Sequence, residues 1–437
     1  MWIKLKLPFQ LSDIQRKIML YAVLFCYFFG LSMFHMNTRK GAIVVAMVYL
    51  LAHSDELRNV LKHMKTHYMN IYFILGLLWS TGLIYRDIFI PKNSLSSYMS
   101  PLALFYLFIQ VFVMAFFILA CCRSVSEFGK IVVSLMIFQS FVSFSSIFLP
   151  IVKRVLLWYY SFTTWIKVPD YLASSTVGVG IGLISSNGTE IMLTSQILLV
   201  YLKLRGLVSK RRFIISYMTI SFGEVFIGRT GFYLSIVFLL CYFLSEKRVL
   251  SKYTIMLKFL LLSIGGIAAF FILVRIMYPG IYTLWIDRVF EGVQGLMADS
   301  VTEGSITALR FSEMTYPKLT WETLWGTNIT GGISYAGTVF HNDIGYMQTY
   351  FGMGMIGATL YYLAHLILFL HPVLTGRVKH KKFFFFATMI LFICELKDPA
   401  MHQSTISFML LSIEMFEMLR VAGYKPKTES VQVRKRG

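Results

Sequence analysis

The chain has 437 residues, 57% of them hydrophobic and 14% charged, with a formal net charge of +20. Soluble domains carry about 25% charged residues, so an aqueous globule is excluded and lipid is the expected solvent. The positive charge does not point to nucleic acid, because the basic residues fall in short clusters between apolar runs, the positive-inside pattern of membrane proteins.

Cys26, Cys121, Cys122, Cys241 and Cys394 all lie in or beside apolar runs without metal-ligand spacing, so neither a disulfide framework nor a zinc site is expected. Near the start, Lys4, Lys6, Arg16 and Lys17 precede an apolar run that no small-residue cleavage site follows. That run reads as a retained helix and not as a signal peptide.

A bilayer-spanning helix takes about 17–25 mainly apolar residues. Candidates run near 18–36, 40–53, 69–86, 101–122, 130–151, 188–204, 212–228, 230–246, 255–276, 345–371, 383–397 and 402–420. The expected fold is therefore all-α, a polytopic membrane protein of about twelve transmembrane helices forming one integral membrane domain over 1–437.

With the N-terminus placed in the cytoplasm, the even loops fall on the same side. They carry Lys203, Arg205, Lys210, Arg211 and Arg212, then Lys247, Arg248, Lys252 and Lys258, then Arg377, Lys379, Lys381 and Lys382. The C-terminal tail, with Lys425, Lys427, Arg434, Lys435 and Arg436, is cytoplasmic as well. The longest loop, about 277–344, lands outside and is rich in Asp and Glu; its Trp285, Trp321, Trp325, Tyr316 and Tyr335 argue for a folded segment.

Two glycine- or aromatic-rich stretches stand apart. "PIVKRVLLWYYSFTTWIKVPD", from Pro150 to Asp170, mixes aromatics with Lys153, Arg154 and Lys167 and reads as an interfacial helix. It serves either as a gate for a lipid tail or headgroup or as a plain aromatic anchor. "VGVGIGLISSNG" resembles a phosphate loop in composition only, because a strand–loop–helix context is missing. Glu224 lies inside a span, where a carboxylate needs a partner, and an ion pair with a basic residue such as Arg229 is expected.

Four stretches that carry chemistry fall on the external side. Arg229 sits in "IGRTG", Arg310 in "ALRFSEMTYPKL", His341, Asn342 and Asp343 in "GTVFHNDIGYMQ", and Glu395, Lys397 and Asp398 in "ELKDPAMHQ". Singly, each has a plain reading: an arginine snorkelling to lipid phosphates, Arg310 paired with Glu313, Asn342 or Asp343 capping a helix, a charged turn. Together they favour an anionic site. Guanidinium grips phosphate oxygens bidentately, and histidine accepts a proton from an attacking hydroxyl near neutral pH. With no D-x-D pair or histidine–carboxylate cluster in the sequence, arginine and lysine would neutralise a diphosphate leaving group, and neither metal nor cofactor is expected.

In "GRTG" at 228–231, "LRFSEM" ahead of "LWGTNITGG", "HNDIGYMQTYFGMGMIG" and the lysine of "ELKDP", the chain resembles bacterial O-antigen polymerases of the Wzy type, within the O-antigen ligase/polymerase superfamily. The resemblance implies a metal-independent, GT-C-like glycosyltransferase of the bacterial inner membrane, with its long loop periplasmic. Its partners would be undecaprenyl-diphosphate-linked glycans as donor and acceptor, the bilayer, and a chain-length regulator and flippase of the same pathway, with no nucleic acid. It implies that Arg229 and Arg310 bind the donor diphosphate and His341 positions or deprotonates the acceptor hydroxyl. Asn342 and Asp343 would orient that hydroxyl, Lys397 would add charge, and Glu395 and Arg288 would complete the substrate site. The sibling ligase, which moves glycan to lipid A core, fits the same residues. A lipid-linked oligosaccharide flippase fits less well, because a transporter would carry ionisable residues near the midplane and often inverted repeats.

Overall fold

The computed structural model describes residues 12–33, 36–64, 68–78, 101–164, 178–182, 187–244, 324–326, 345–396, 400–402, 404–424 and parts of 265–283. They are almost wholly α-helical. The first helix, α1 (Asp13–Phe29), opens with a capping box between Ser12 and Gln15 and ends at Gly30 in the left-handed region, φ 53°. A two-stranded antiparallel turn, β1 (Ser32–Met33) and β2 (Met36–Asn37), sends the chain back, and the Asn37 side chain caps α2 (Thr38–Ala52). Then come α3 (Ser54–Met64), α4 (Tyr68–Leu78), α5 (Pro101–Cys121) and α6 (Val125–Phe148). The next elements are α7 (Pro150–Thr164), α8 (Asn187–Leu204), α9 (Lys210–Ile227), α10 (Arg229–Leu244) and α11, a short stretch at 271–277. Last are α12 (Gly345–Leu374), α13 (Lys381–Cys394), a 3₁₀ turn (Ala400–His402) and α14 (Ser404–Val421).

Two of the described helical stretches are both long and apolar enough to cross a bilayer, Val125–Phe148 and Gly352–Leu374; Tyr68–Leu78, Leu107–Cys121 and Gly231–Tyr242 are apolar but shorter. Helices α14 and α8 form the centre and are buried along nearly their whole length. Helix α14 packs on α5, α8 and α12, while α9 packs on α6 and α8, and α10 on α8 and α13. The periphery is oily. Val48, Leu78, Phe141, Ile215, Ile276 and Leu363, from six different helices, are all exposed. An apolar rim spread over so many helices is unlike the surface of a soluble monomer, whose apolar patches are small.

The basic connectors meet at one end of the bundle. Buried Glu417 accepts from Tyr201 Oη at 2.5 Å, Arg205 at 3.2 Å, Arg420 Nε at 2.9 Å and the Lys379 backbone N–H at 3.3 Å. Arg16 reaches Glu127 at 2.6 Å and Asp13 at 2.9 Å, and it also donates to the Cys121 carbonyl. The start of α1, the α5–α6, α8–α9 and α12–α13 connections and the end of α14 thus share this basic end. Truncating Glu417 strands two guanidinium groups and a buried phenol. Glu417→Ala is expected to cost about 3 kcal/mol, read as a lower thermal midpoint in detergent, with Glu417→Gln intermediate because it keeps an acceptor for Tyr201.

Candidate functional site

The opposite end of the bundle receives Arg229 and Glu395, two of the residues singled out in the sequence. Phe383, near the start of α13, packs between Phe238 and Tyr242 of α10, with ring centroids 5.8 and 6.4 Å apart. From that contact α10 runs back about eleven residues to Arg229, and α13 runs forward eleven to Cys394. At 1.5 Å per residue both climb about 17 Å, so Arg229 and Glu395 stand at one level on the far end. Arg229 is the first residue of α10, directly after Gly228.

Glu395 is buried and tied on both sides. Its Oε1 accepts from the Met401 N–H at 2.5 Å and its Oε2 from Tyr362 Oη at 3.1 Å, while its carbonyl accepts from the Tyr346 N–H at 3.1 Å. Tyr346 Oη in turn donates to the Phe392 carbonyl at 2.8 Å, and Thr349 Oγ1 lies 2.9 Å from His402 Nε2. Glu395 therefore joins four pieces: its carboxylate ties the middle of α12 and the 3₁₀ turn before α14 to the end of α13, and its backbone carbonyl holds the first turn of α12. Both carboxylate oxygens of Glu395, expected in the substrate site, accept from protein groups in this geometry. This described stretch begins at Gly345, two residues after Asp343, and ends at Leu396, next to Lys397. His341, Asn342, Asp343, Arg310, Arg288 and Lys397 themselves lie outside the described residues, as does the side chain of Arg229.

Sequence reasoning missed the partners of Glu395. Tyr346 and Tyr362 read as ordinary aromatics in an apolar helix; sixteen residues apart they would fall on nearly opposite faces of an unbroken helix, and their rings meet, with centroids 5.0 Å apart, because α12 breaks at Gly354 between them. Glu224 is another case. Its carboxylate is buried in α9 against the Gln196 side chain. The side chain of Arg229, named as its expected partner, lies outside the described residues.

The glycine-rich stretch at 178–182 is embedded beside α6. Gly178 N–H donates to the Phe226 carbonyl at 2.8 Å, Val179 N–H to Ser146 Oγ at 2.8 Å, and Ile181 N–H to Gln139 Oε1 at 3.1 Å. Gly182 is needed, because its φ is 64° and a Cβ there would fall 1.5 Å from the Phe29 carbonyl oxygen. The N–H groups of Gly178, Val179 and Ile181 are thus engaged inside the protein and are not offered to a phosphate. Buried non-helical backbone needs such internal partners.

Cations also mark the far end. Arg39 donates to the Tyr27 carbonyl at 3.0 Å and lies over the Tyr27 ring. Lys153 is buried, and burial pushes its ammonium down to about 8. Among the described residues no group of three His, Cys, Asp or Glu side chains is placed to hold a metal ion.

No protein-family profile and no curated protein matches this chain. The site is therefore read from its own residues. It offers cations at the far end, a braced helix junction that begins two residues after the His-Asn-Asp triplet in the chain, and an apolar rim below.

Proposed function

We propose that the chain is a multi-pass glycosyltransferase of the bacterial inner membrane that polymerises undecaprenyl-diphosphate-linked repeat units at the periplasmic face. Twelve spans with cytoplasmic termini complete this reading. The observation that supports it most is the Tyr346–Glu395 junction, level with Arg229. It brings the chain ends that lead to His341 and Lys397 to one end of the bundle, opposite the basic end.

The chemistry follows from these residue types. The acceptor sugar hydroxyl attacks the anomeric carbon of the donor glycan, a new C–O bond forms, and the bond from that carbon to the diphosphate oxygen breaks. His341 takes the hydroxyl proton. Arg229 and Arg310 carry the charge that develops on the departing diphosphate, a preorganised electrostatic role. Lipid-held substrates supply proximity, since both donor and acceptor arrive anchored in the same leaflet.

A deletion strain examined for its surface polysaccharide tests the assignment. One repeat unit on core is the expected result. Free lipid-linked polymer would make the protein a ligase, and loss of all surface sugar would make it a flippase.

A further inference from the structure

Helix α7 follows α6 after a break: Leu149 is extended, φ −117° and ψ 93°, and Pro150 restarts the helix. Four large apolar side chains of α7 are exposed, Ile151 at 72%, Val155 at 55%, Trp158 at 63% and Phe162 at 66%. At 100° per residue they fall within about 60° of arc, one narrow stripe. Lys153 lies on the opposite side of the helix and is buried, and Arg154 flanks the stripe and is exposed. The ring of Trp158 stacks on Phe162 with centroids 5.4 Å apart.

Depth decides what covers this stripe. Exposed Lys130 stands one turn into α6, near the basic end, and Phe148 is eighteen residues further on. Eighteen residues rise about 27 Å, close to the thickness of the hydrocarbon core. Pro150 is thus at the far boundary. If α7 continued along the axis of α6, Val155, Trp158 and Phe162 would stand in water. Instead α7 leans over the end of the bundle, against β1 in the turn between α1 and α2. The stripe is also continuous with the exposed Phe138, Phe141 and Leu149 of α6.

We infer that α7 lies in the plane of the outer leaflet, with Ile151, Val155, Trp158 and Phe162 in the acyl–headgroup boundary and Arg154 among lipid phosphates. This rests on the membrane reading of α6. It adds an in-plane lipid-binding surface beside the proposed site, of the kind amphipathic helices form about 5–10 Å below the headgroups.

The test uses spin labels on Ile151→Cys, Val155→Cys, Trp158→Cys and Phe162→Cys, with Phe141→Cys as the deep reference. All are made in the full chain, reconstituted in vesicles, with the five native cysteines replaced by alanine. Collision rates with oxygen and with a water-soluble nickel chelate give depth. The expected result is one shared shallow depth for the four α7 labels and a position about 13 Å deeper for residue 141. A steady outward gradient from 151 to 162, full access to nickel, or shielding from both reagents by a second copy would each overturn the inference. Nickel access at 141 as well would overturn the membrane reading with it. Should the cysteine-free chain fail to fold, quenching of the native protein by brominated lipid serves instead: Trp158→Phe must remove a quenched component, and no change refutes the placement.

Discussion

Arg229→Ala is expected to reach the membrane in normal amount and yet abolish polymer, leaving single repeat units on the acceptor. The reason lies in where the arginine stands. It is the first residue of α10, and a cation at a helix N-terminus opposes the helix dipole, at a cost of about 0.3–1 kcal/mol. A residue kept there for helix stability would be acidic or a capping side chain. Removing the guanidinium relieves that opposition, so the fold does not suffer. The chemical step does: loss of one preorganised charge donor at a developing anion costs about 10²–10³ in rate, enough to empty a ladder of long chains. Arg229→Lys keeps the charge and loses the planar fork, so short ladders are expected to persist. Ladder length on gels and protein level in membranes are the two readouts. Normal ladders from Arg229→Ala would end the assignment. A steep fall in thermal stability would instead give Arg229 to buried Glu224, one turn earlier on the preceding helix.

The apolar runs foretold most helices, because burial in lipid or protein demands one continuous oily segment per helix. Their edges moved for local reasons. Helix α1 begins at Asp13 and not at 18, since Ser12 and Gln15 form a capping box that a hydrophobic window ignores. It stops at Phe29, where Gly30 turns left-handed. Helix α3 was not foreseen as an element, being polar and only eleven residues long. The site was legible in part. The sequence placed Arg229 and Glu395 at one end through charge bias, and the α10–α13 packing sets them level. The partners of Glu395 were not legible, because Tyr362 and Met401 meet it only through tertiary packing. The break inside α12 was equally hidden, as the run from Gly345 to Leu374 is apolar throughout its middle and reads as one helix.

That break carries the other large effect. Gly354 has φ 73° and ψ 172° inside α12, and Gly326, from the long connection, has φ 87°. The two backbones touch. A Cβ on Gly354 would meet Gly326 N at 2.3 Å and the Leu324 carbonyl oxygen at 2.4 Å, and a Cβ on Gly326 would meet Gly354 N at 2.4 Å. Alanine at either site is thus refused twice, by its own φ at about 1–3 kcal/mol and by backbone that must move at about 1–3 kcal/mol more. Gly354→Ala and Gly326→Ala are expected to lose about 3–5 kcal/mol each, and the double variant less than the sum, because both break one contact. Gly423→Ala is the control: its φ is also 73°, but no atom lies within 4 Å of the new Cβ. It is expected to lose only the conformational part. Thermal midpoints in detergent separate the cases, and equal losses at 354 and 423 would show that the crossing holds nothing. The crossing matters beyond stability because of what it joins. It pins residues 324–326, which follow Arg310 in the chain, to the same helix that His341-Asn342-Asp343 precede. Loosening it is expected to shorten glycan ladders even in variants that still reach the membrane.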